Sequence, residues 1–240
     1  MLGCLGGVLV VVGLGGGGGG GAPRRQIFAL IKGSISLMKQ YLFFDTETTG
    51  IPPRPLPRPT DFELWPRVIQ IHWELRDEKG TELAPPSSFI LKPEDFVIPP
   101  EVEKIHGIGQ AYALAHGKPR DEVLRKFAES VRNVVLVAHN FEFDAAIVEV
   151  ELLRLNVRLP LSRMPHICTM RQTTEFCALP SANRPDEHKP PKLSELYEKL
   201  FGQPFSGAHN AESDVRAMVE CFYELNRRGF KFQPVRKISN

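Results

Sequence analysis

Tyr41-Leu42-Phe43-Phe44-Asp45-Thr46-Glu47-Thr48-Thr49-Gly50 is the stretch from which the rest of the chain is read. Four apolar residues run into two carboxylates one residue apart, and Gly50-Ile51-Pro52-Pro53 follows. An aromatic-rich run closed by Gly and Pro predicts a buried strand ending in a loop. Side chains on a strand alternate between faces, so Asp45 and Glu47 project the same way, roughly 7 Å apart along the backbone. Two like charges on one face of a core strand lose solvation and repel, at a cost of several kcal/mol unless something positive lies between them. A divalent cation is the natural compensation, and hard oxygen ligands select magnesium or manganese. A hydrated strand end is the plain alternative for this dipeptide spacing alone.

Working outward, Ile51 to Pro59 holds five prolines and two arginines, which predicts a stiff surface loop. Val68 to Leu75 alternates, with Ile69, Ile71, Trp73 and Leu75 on one face and Gln70, His72 and Glu74 on the other. That pattern predicts a half-buried strand. Asp77 to Gly80 supplies a turn, and Ser87 to Lys92 predicts a third strand, so the three form an antiparallel meander. A short helix over Pro99 to Ile108 stops at Gly107. Arg120 to Asn133 carries Leu124, Phe127, Ala128 and Val131 on one stripe, as a helix would. Val134 to Ala138 is wholly apolar, as in a central parallel strand, and a helix with Phe143, Ala146, Ile147, Val150 and Leu153 facing inward follows His139-Asn140. Pro165 to Met170 reads as a short strand and Phe176 to Pro191 as a polar loop. Helices follow over Leu193 to Leu200, capped by Gly202, and from Asn210 to Gly229.

Two further acids stand out. Asp144 lies four residues beyond Asn140, on the same helical face. Asp214 sits one turn before Met218 on the inward stripe of the last helix, where an unpaired acid is costly. His209 precedes that helix, with Asn210 as a good cap; the histidine then rides on a loop while Asp214 is rigidly held. Taken singly, Asp144 reads equally as a dipole-stabilised early-helix acid, His209 as a surface residue, and Asp214 as a partner of Arg216 or Arg171. His139 and His106 read as packing or hydrogen-bonding groups, and Arg54, Arg58 and Arg67 as a solvated cluster.

Taken together, Asp45-Thr-Glu-Thr-Thr-Gly50, His139-Asn-Phe-Glu-Phe-Asp144 and His209-Asn-Ala-Glu-Ser-Asp214 resemble the three motifs of the DEDDh branch of DnaQ-like 3′–5′ exonucleases. Their epsilon-type proofreading subunits are the nearest in pattern. Ile105-His-Gly-Ile108 is similar to a fourth signature of that family. The resemblance runs from Tyr41 to about Arg227. It implies a ribonuclease H-like α/β fold with a mixed five-stranded sheet flanked by helices.

It also implies that Asp45, Glu47, Asp144 and Asp214 hold two divalent cations, Mg²⁺ or Mn²⁺. In the family pattern Asp45 bridges them, Glu47 and Asp214 complete the first, and Asp144 supports the second. His209 is the implied general base, and Thr46, Thr48, His106, Asn140 and Phe143 match positions lining the terminal nucleotide. The implied partner is a single-stranded or frayed 3′ end, with DNA favoured by the Thr-Glu-Thr-Thr form of the first motif. An exoribonuclease of the same branch and a catalytically silent nucleic-acid-binding module are the alternatives. Cys168-Thr-Met-Arg171 departs from the family, where an acid commonly precedes Thr. Nothing in the sequence supports a polymerase partner.

Composition is ordinary for a globular protein, with 42% hydrophobic and 24% charged residues among 240. A net charge of +2 gives no strong global field, so a polyanion must be held locally. The four cysteines show no CxxC or zinc spacing and read as reduced thiols of a cytoplasmic protein without a membrane segment. Residues 1–37 are glycine-rich, with an apolar part too short to span a bilayer, and read as a disordered extension. One expectation is that Met38 is the natural start. Residues 38–232 form the expected exonuclease domain and 233–240 a basic tail.

Overall fold

The computed structural model describes residues 39–236, apart from 183 and 185. The expectations for residues 1–37, for the Met38 start and for the end of the basic tail lie outside the described residues.

Five strands make the main sheet: β1 (Tyr41–Thr48), β2 (Val68–Arg76), β3 (Ser87–Ile90), β4 (Val135–Ala138) and β5 (His166–Cys168). Their spatial order is β3-β2-β1-β4-β5. β1 pairs antiparallel with β2, and β2 with β3, while β4 runs parallel to both β1 and β5. The mixed five-stranded sheet and its meander are as the sequence predicts. The helices are α1 (Pro100–His106), α2 (Gln110–His116), α3 (Arg120–Ser130), α4 (Phe141–Arg154), α5 (Thr169–Gln172), α6 (Thr174–Cys177), α7 (Leu193–Phe201) and α8 (Ala211–Arg227). α1 and α7 end where Gly107 and Gly202 adopt left-handed backbone, at φ 75° and 72°. A side chain there would strain the turn.

Alternation along β1 sets the layout. Leu42 and Phe44 enter a core with Ile71, Trp73, Phe127, Leu136 and Ile147, covered by α3 and α4. Phe43 points the other way, into a core with Val137, Leu196, Val215, Met218 and Phe222, covered by α7 and α8. The sheet is therefore sandwiched between two apolar layers, as an α/β architecture requires. The same alternation carries Asp45 and Glu47 to the α8 side, and Thr46 to the α4 side.

Four local expectations need correction. β2 is not half-buried: Gln70, His72 and Glu74 are 5%, 1% and 1% exposed, because α8 packs over the polar face. Arg76 satisfies Glu74 there, through Nε at 2.8 Å. Arg67 is not solvated; it is 9% exposed, and its Nε donates to the fully buried Glu151 at 2.7 Å. The segment after Phe176 is not a plain loop, since it contains the end of α6 and a small antiparallel pair, β6 (Leu179–Pro180) with β7 (His188–Lys189). Likewise β5 ends at Cys168, and α5 takes over the residues from Thr169. α2 was not foreseen. Cys168, Cys177 and Cys221 are free and buried. No described helix is long and apolar enough to cross a membrane.

Candidate active site

The carboxyl ends of β1 and β4 open between α4 and α8, and the four acids gather there. Asp45, Glu47 and Asp214 each place one carboxylate oxygen within 4.8 Å of the others. All three are partly buried. Asp144, 2% exposed, lies at the same end, where its charge acts on Asp45.

Each acid is held by a different local device. Asp45 and Glu47 are fixed by the strand itself, between β2 and β4. Asp144 comes from the first turn of α4, which begins at Asn140 in a left-handed conformation, φ 84°. That turn carries the chain from the buried end of β4 back over the sheet. Thr46 then holds Asp144 by two bonds, its backbone N–H donating to Oδ1 at 3.1 Å and its hydroxyl at 2.8 Å. Asp214 rides on α8, whose start is doubly secured. The Asn210 side chain accepts from the N–H groups of Glu212 and Ser213, the usual role of an N-cap. Gln70 on β2 accepts from Ala211 N–H at 3.1 Å, which pins the helix end to the sheet.

His209 sits on the exposed approach to α8 at φ 66°, and its N–H donates to Asp214 Oδ2 at 3.1 Å. Neither alternative partner claims Asp214, since Arg216 holds Glu212 and Arg171 holds Glu142.

The electrostatics follow from this crowding. Burial, then the charges of Asp144, Asp214 and Glu47, push the Asp45 carboxyl well above its ordinary range. Burial and the charges of Asp214 and Asp144 push Glu47 to about 8. Burial lifts Asp144 to about 7 against the opposing Thr46 hydrogen bonds. Asp214 rises to about 6 by burial, opposed by the His209 N–H. Carboxylates kept this close, none of them ion-paired with a lysine or arginine among the described residues, demand either protons or a cation. The donor set, all hard oxygen and converging, suits a divalent ion of the magnesium or manganese kind.

The other predicted site residues divide. Asn140 and Phe143 line a cleft of about 560 Å³, together with Ile51, Arg54, Trp65 and Arg171. Thr46 is buried behind the acids, and Thr48 is buried with its hydroxyl donating to Gly50 O at 2.7 Å. His106 closes α1, its Nδ1 accepting from Ile108 N–H at 3.0 Å, while its buried Nε2 has no partner; burial lowers its pKa. His139 is a hydrogen-bonding group, as expected. Its Nε2 bonds Pro191 O and its Nδ1 bonds Thr169 Oγ1, each at 3.0 Å. Burial lowers it to about 4, so the ring is neutral, with Nε2–H donating.

Sequence reading missed Gln70 as the anchor of α8, because it looked like the solvent side of an alternating strand. It missed Arg54 and Trp65 as cleft residues; the proline run at Ile51 to Pro59 was the available signal.

Comparison with known proteins agrees with this geometry. The exonuclease family model matches residues 42–222. The chain is 31% identical over 180 residues to DNA polymerase III subunit epsilon of Treponema pallidum, covering 75% of this chain and 73% of that one. It is 27% identical over 209 residues to human three-prime repair exonuclease 1, covering 76% and 62% respectively. Among solved structures, the E. coli ExoI–ssDNA complex superposes with a TM-score of 0.63 at 20% identity, over 80% of this chain and 41% of that one. The nuclease domain of 3′hExo, a DEDDh family member bound to rAMP, gives 0.64 at 15% identity, over 85% and 99%. The last two likenesses concern the fold. The chain belongs to the exonuclease family and is a 3′–5′ exonuclease by class. Enzymes of this family use divalent metals.

Proposed function

We propose that this protein removes nucleotides one at a time from the 3′ end of single-stranded or frayed DNA, releasing nucleoside 5′-monophosphates. The carrying observation is the convergence of Asp45, Glu47 and Asp214 from β1 and α8 on one point, with Asp144 beside them.

Asp45, Glu47, Asp144 and Asp214 would hold two divalent cations, Mg²⁺ or Mn²⁺. Bound cations would lower the pKa of the attacking water and neutralise charge on the departing 3′ oxygen. The protein's own groups do the rest. Thr46 fixes Asp144 so that its carboxylate does not rotate away. Asp214 accepts the His209 N–H and so holds the loop that carries the imidazole. His209 takes the proton from the attacking water, the general-base role for which an imidazole is the commonest side chain. Phe143 and Asn140 receive the terminal nucleotide in the cleft, where Ile51 and Trp65 give apolar surface for a base and Arg54 and Arg171 give charge for phosphate.

DNA is favoured over RNA by the Thr46-Glu47-Thr48-Thr49 form of the first motif and by the relatives, whose names are those of a DNA polymerase subunit and a repair exonuclease. The test uses matched 5′-labelled DNA and RNA strands with Mg²⁺, Mn²⁺ or chelator. A ladder shortening from the 3′ end of DNA, faster than on RNA and abolished by chelator, is expected. Faster RNA trimming would replace the substrate assignment. Hydrolysis persisting in chelator would overturn the cation mechanism.

A further inference from the structure

At the opposite end of the central strands lies a groove of about 1020 Å³. It is built where β1 and β4 begin and where the chain approaches β5. Lys39, Arg132, Arg163 and Arg236 line it, over a floor that includes Val135 and Pro165, and no carboxylate among the described residues lines it. Several arginines elsewhere are neutralised locally: Arg67, Arg120, Arg171 and Arg216 each hold an acid. The groove cations hold none among the described residues. Four like charges at one place are costly to gather unless they serve an anion, and a chain of net charge +2 has few to spare.

We infer that this groove is a second nucleic-acid contact, holding the phosphodiester backbone of the substrate strand upstream of the 3′ end. The inference rests on the exonuclease reading, because the strand is the ligand proposed at the acids. It supplies what the acids lack. Their negative charge repels a phosphodiester, whereas the groove attracts it by releasing counterions.

The position sets a length requirement. Asp45 lies five residue steps beyond Gln40, about 17 Å at the rise of a strand. A route over the surface is roughly twice that, which takes about ten nucleotides at the stacked rise of about 3.4 Å each and fewer in an extended strand, but more than three. A long strand therefore reaches both sites, and a trinucleotide reaches only the acids. The groove then acts on binding and not on the bond-breaking step.

The test compares the full-length wild type, R132E/R163E and the charge-preserving R132K/R163K. Both positions are exposed, and circular dichroism checks that each variant is folded. Binding of a long single strand is measured against salt in chelator, where the acids repel the 3′ end and the groove supplies most of the affinity. The charge reversal is expected to weaken binding about tenfold and to flatten the log–log salt slope by about 1.4, two phosphate contacts at about 0.7 each. KM for the long strand should rise about tenfold with kcat unchanged, while trinucleotide hydrolysis stays at the wild-type rate. The lysine variant should behave as wild type. An unchanged salt slope, or equal losses on long and short substrates, overturns the inference. An acidic protein captured by the groove in place of DNA would show as the first of these. A wild type that fails to cleave even the trinucleotide counts against the exonuclease reading instead, while the salt slope still reports on the groove.

Discussion

Removing one negative charge from the acid cluster should make the cation-free protein more stable, and only at the upper end of the pH range. Glu47 loses its proton near 4.5 in an unfolded chain and near 8 in the folded one. Between those values the folded state holds a proton that the unfolded state has released. Stability therefore falls as pH rises through that window and is fully retained below it. Each pKa unit is worth about 1.4 kcal/mol, so the displacement sets a ceiling near 5 kcal/mol. Glu47 is partly reached by water, and solvent screening cuts the expected effect to about 2 kcal/mol.

Glu47→Gln removes the titration while keeping the shape. In chelator, urea unfolding of wild type and variant should give similar free energies near pH 5. Near pH 8 the variant should be more stable by about 2 kcal/mol, or about 6 °C in Tm for a chain of this size. Added Mn²⁺ should reverse the order at pH 8 by binding the wild-type cluster. Parallel pH profiles for the two proteins would refute the claim that these carboxylates repel one another at close range.

Other outcomes follow from the same geometry. Asp45→Ala and Asp214→Ala should each abolish release of mononucleotides in a gel assay while leaving the circular dichroism spectrum unchanged. His209→Ala should lower kcat by about 10²- to 10⁴-fold, the usual contribution of a general base, with KM for the strand little changed. Glu151→Ala should destabilise the protein by about 3–5 kcal/mol in denaturant unfolding, because it leaves the buried Arg67 guanidinium without its main partner. Its activity below the unfolding temperature should be close to wild type.

The acids that gather at the candidate site were legible because their signal is local. Asp45 and Glu47 announce themselves by strand alternation, and Asp214 by interrupting an apolar helical stripe. Asp144 and His209 became persuasive only through the ordered set of motifs. What escaped reading depends on partners far along the chain. Gln70 is 141 residues from the N–H it accepts, and Arg67 is 84 from Glu151. A polar residue on an alternating strand looks solvated until the helix that covers it is known. The burial of β2 on both faces could therefore not be read from its own alternation. The cleft was hidden for a related reason: Arg54 and Trp65 meet Phe143 only after the proline loop folds back beside α4.

The odd–even division of β1 also governs where this chain can change length. One residue inserted between Phe44 and Asp45 would rotate everything after it by half a turn. The threonines would then face α8, and the two acids would face α4, each meeting the wrong companions. The eight positions from Tyr41 to Thr48 work like the teeth of a key, with no tolerance for a missing or extra notch. The proline segment just beyond Gly50 is under no such alternation, so an insertion there would reshape the Ile51 and Arg54 side of the cleft while leaving the facing of the acids unchanged.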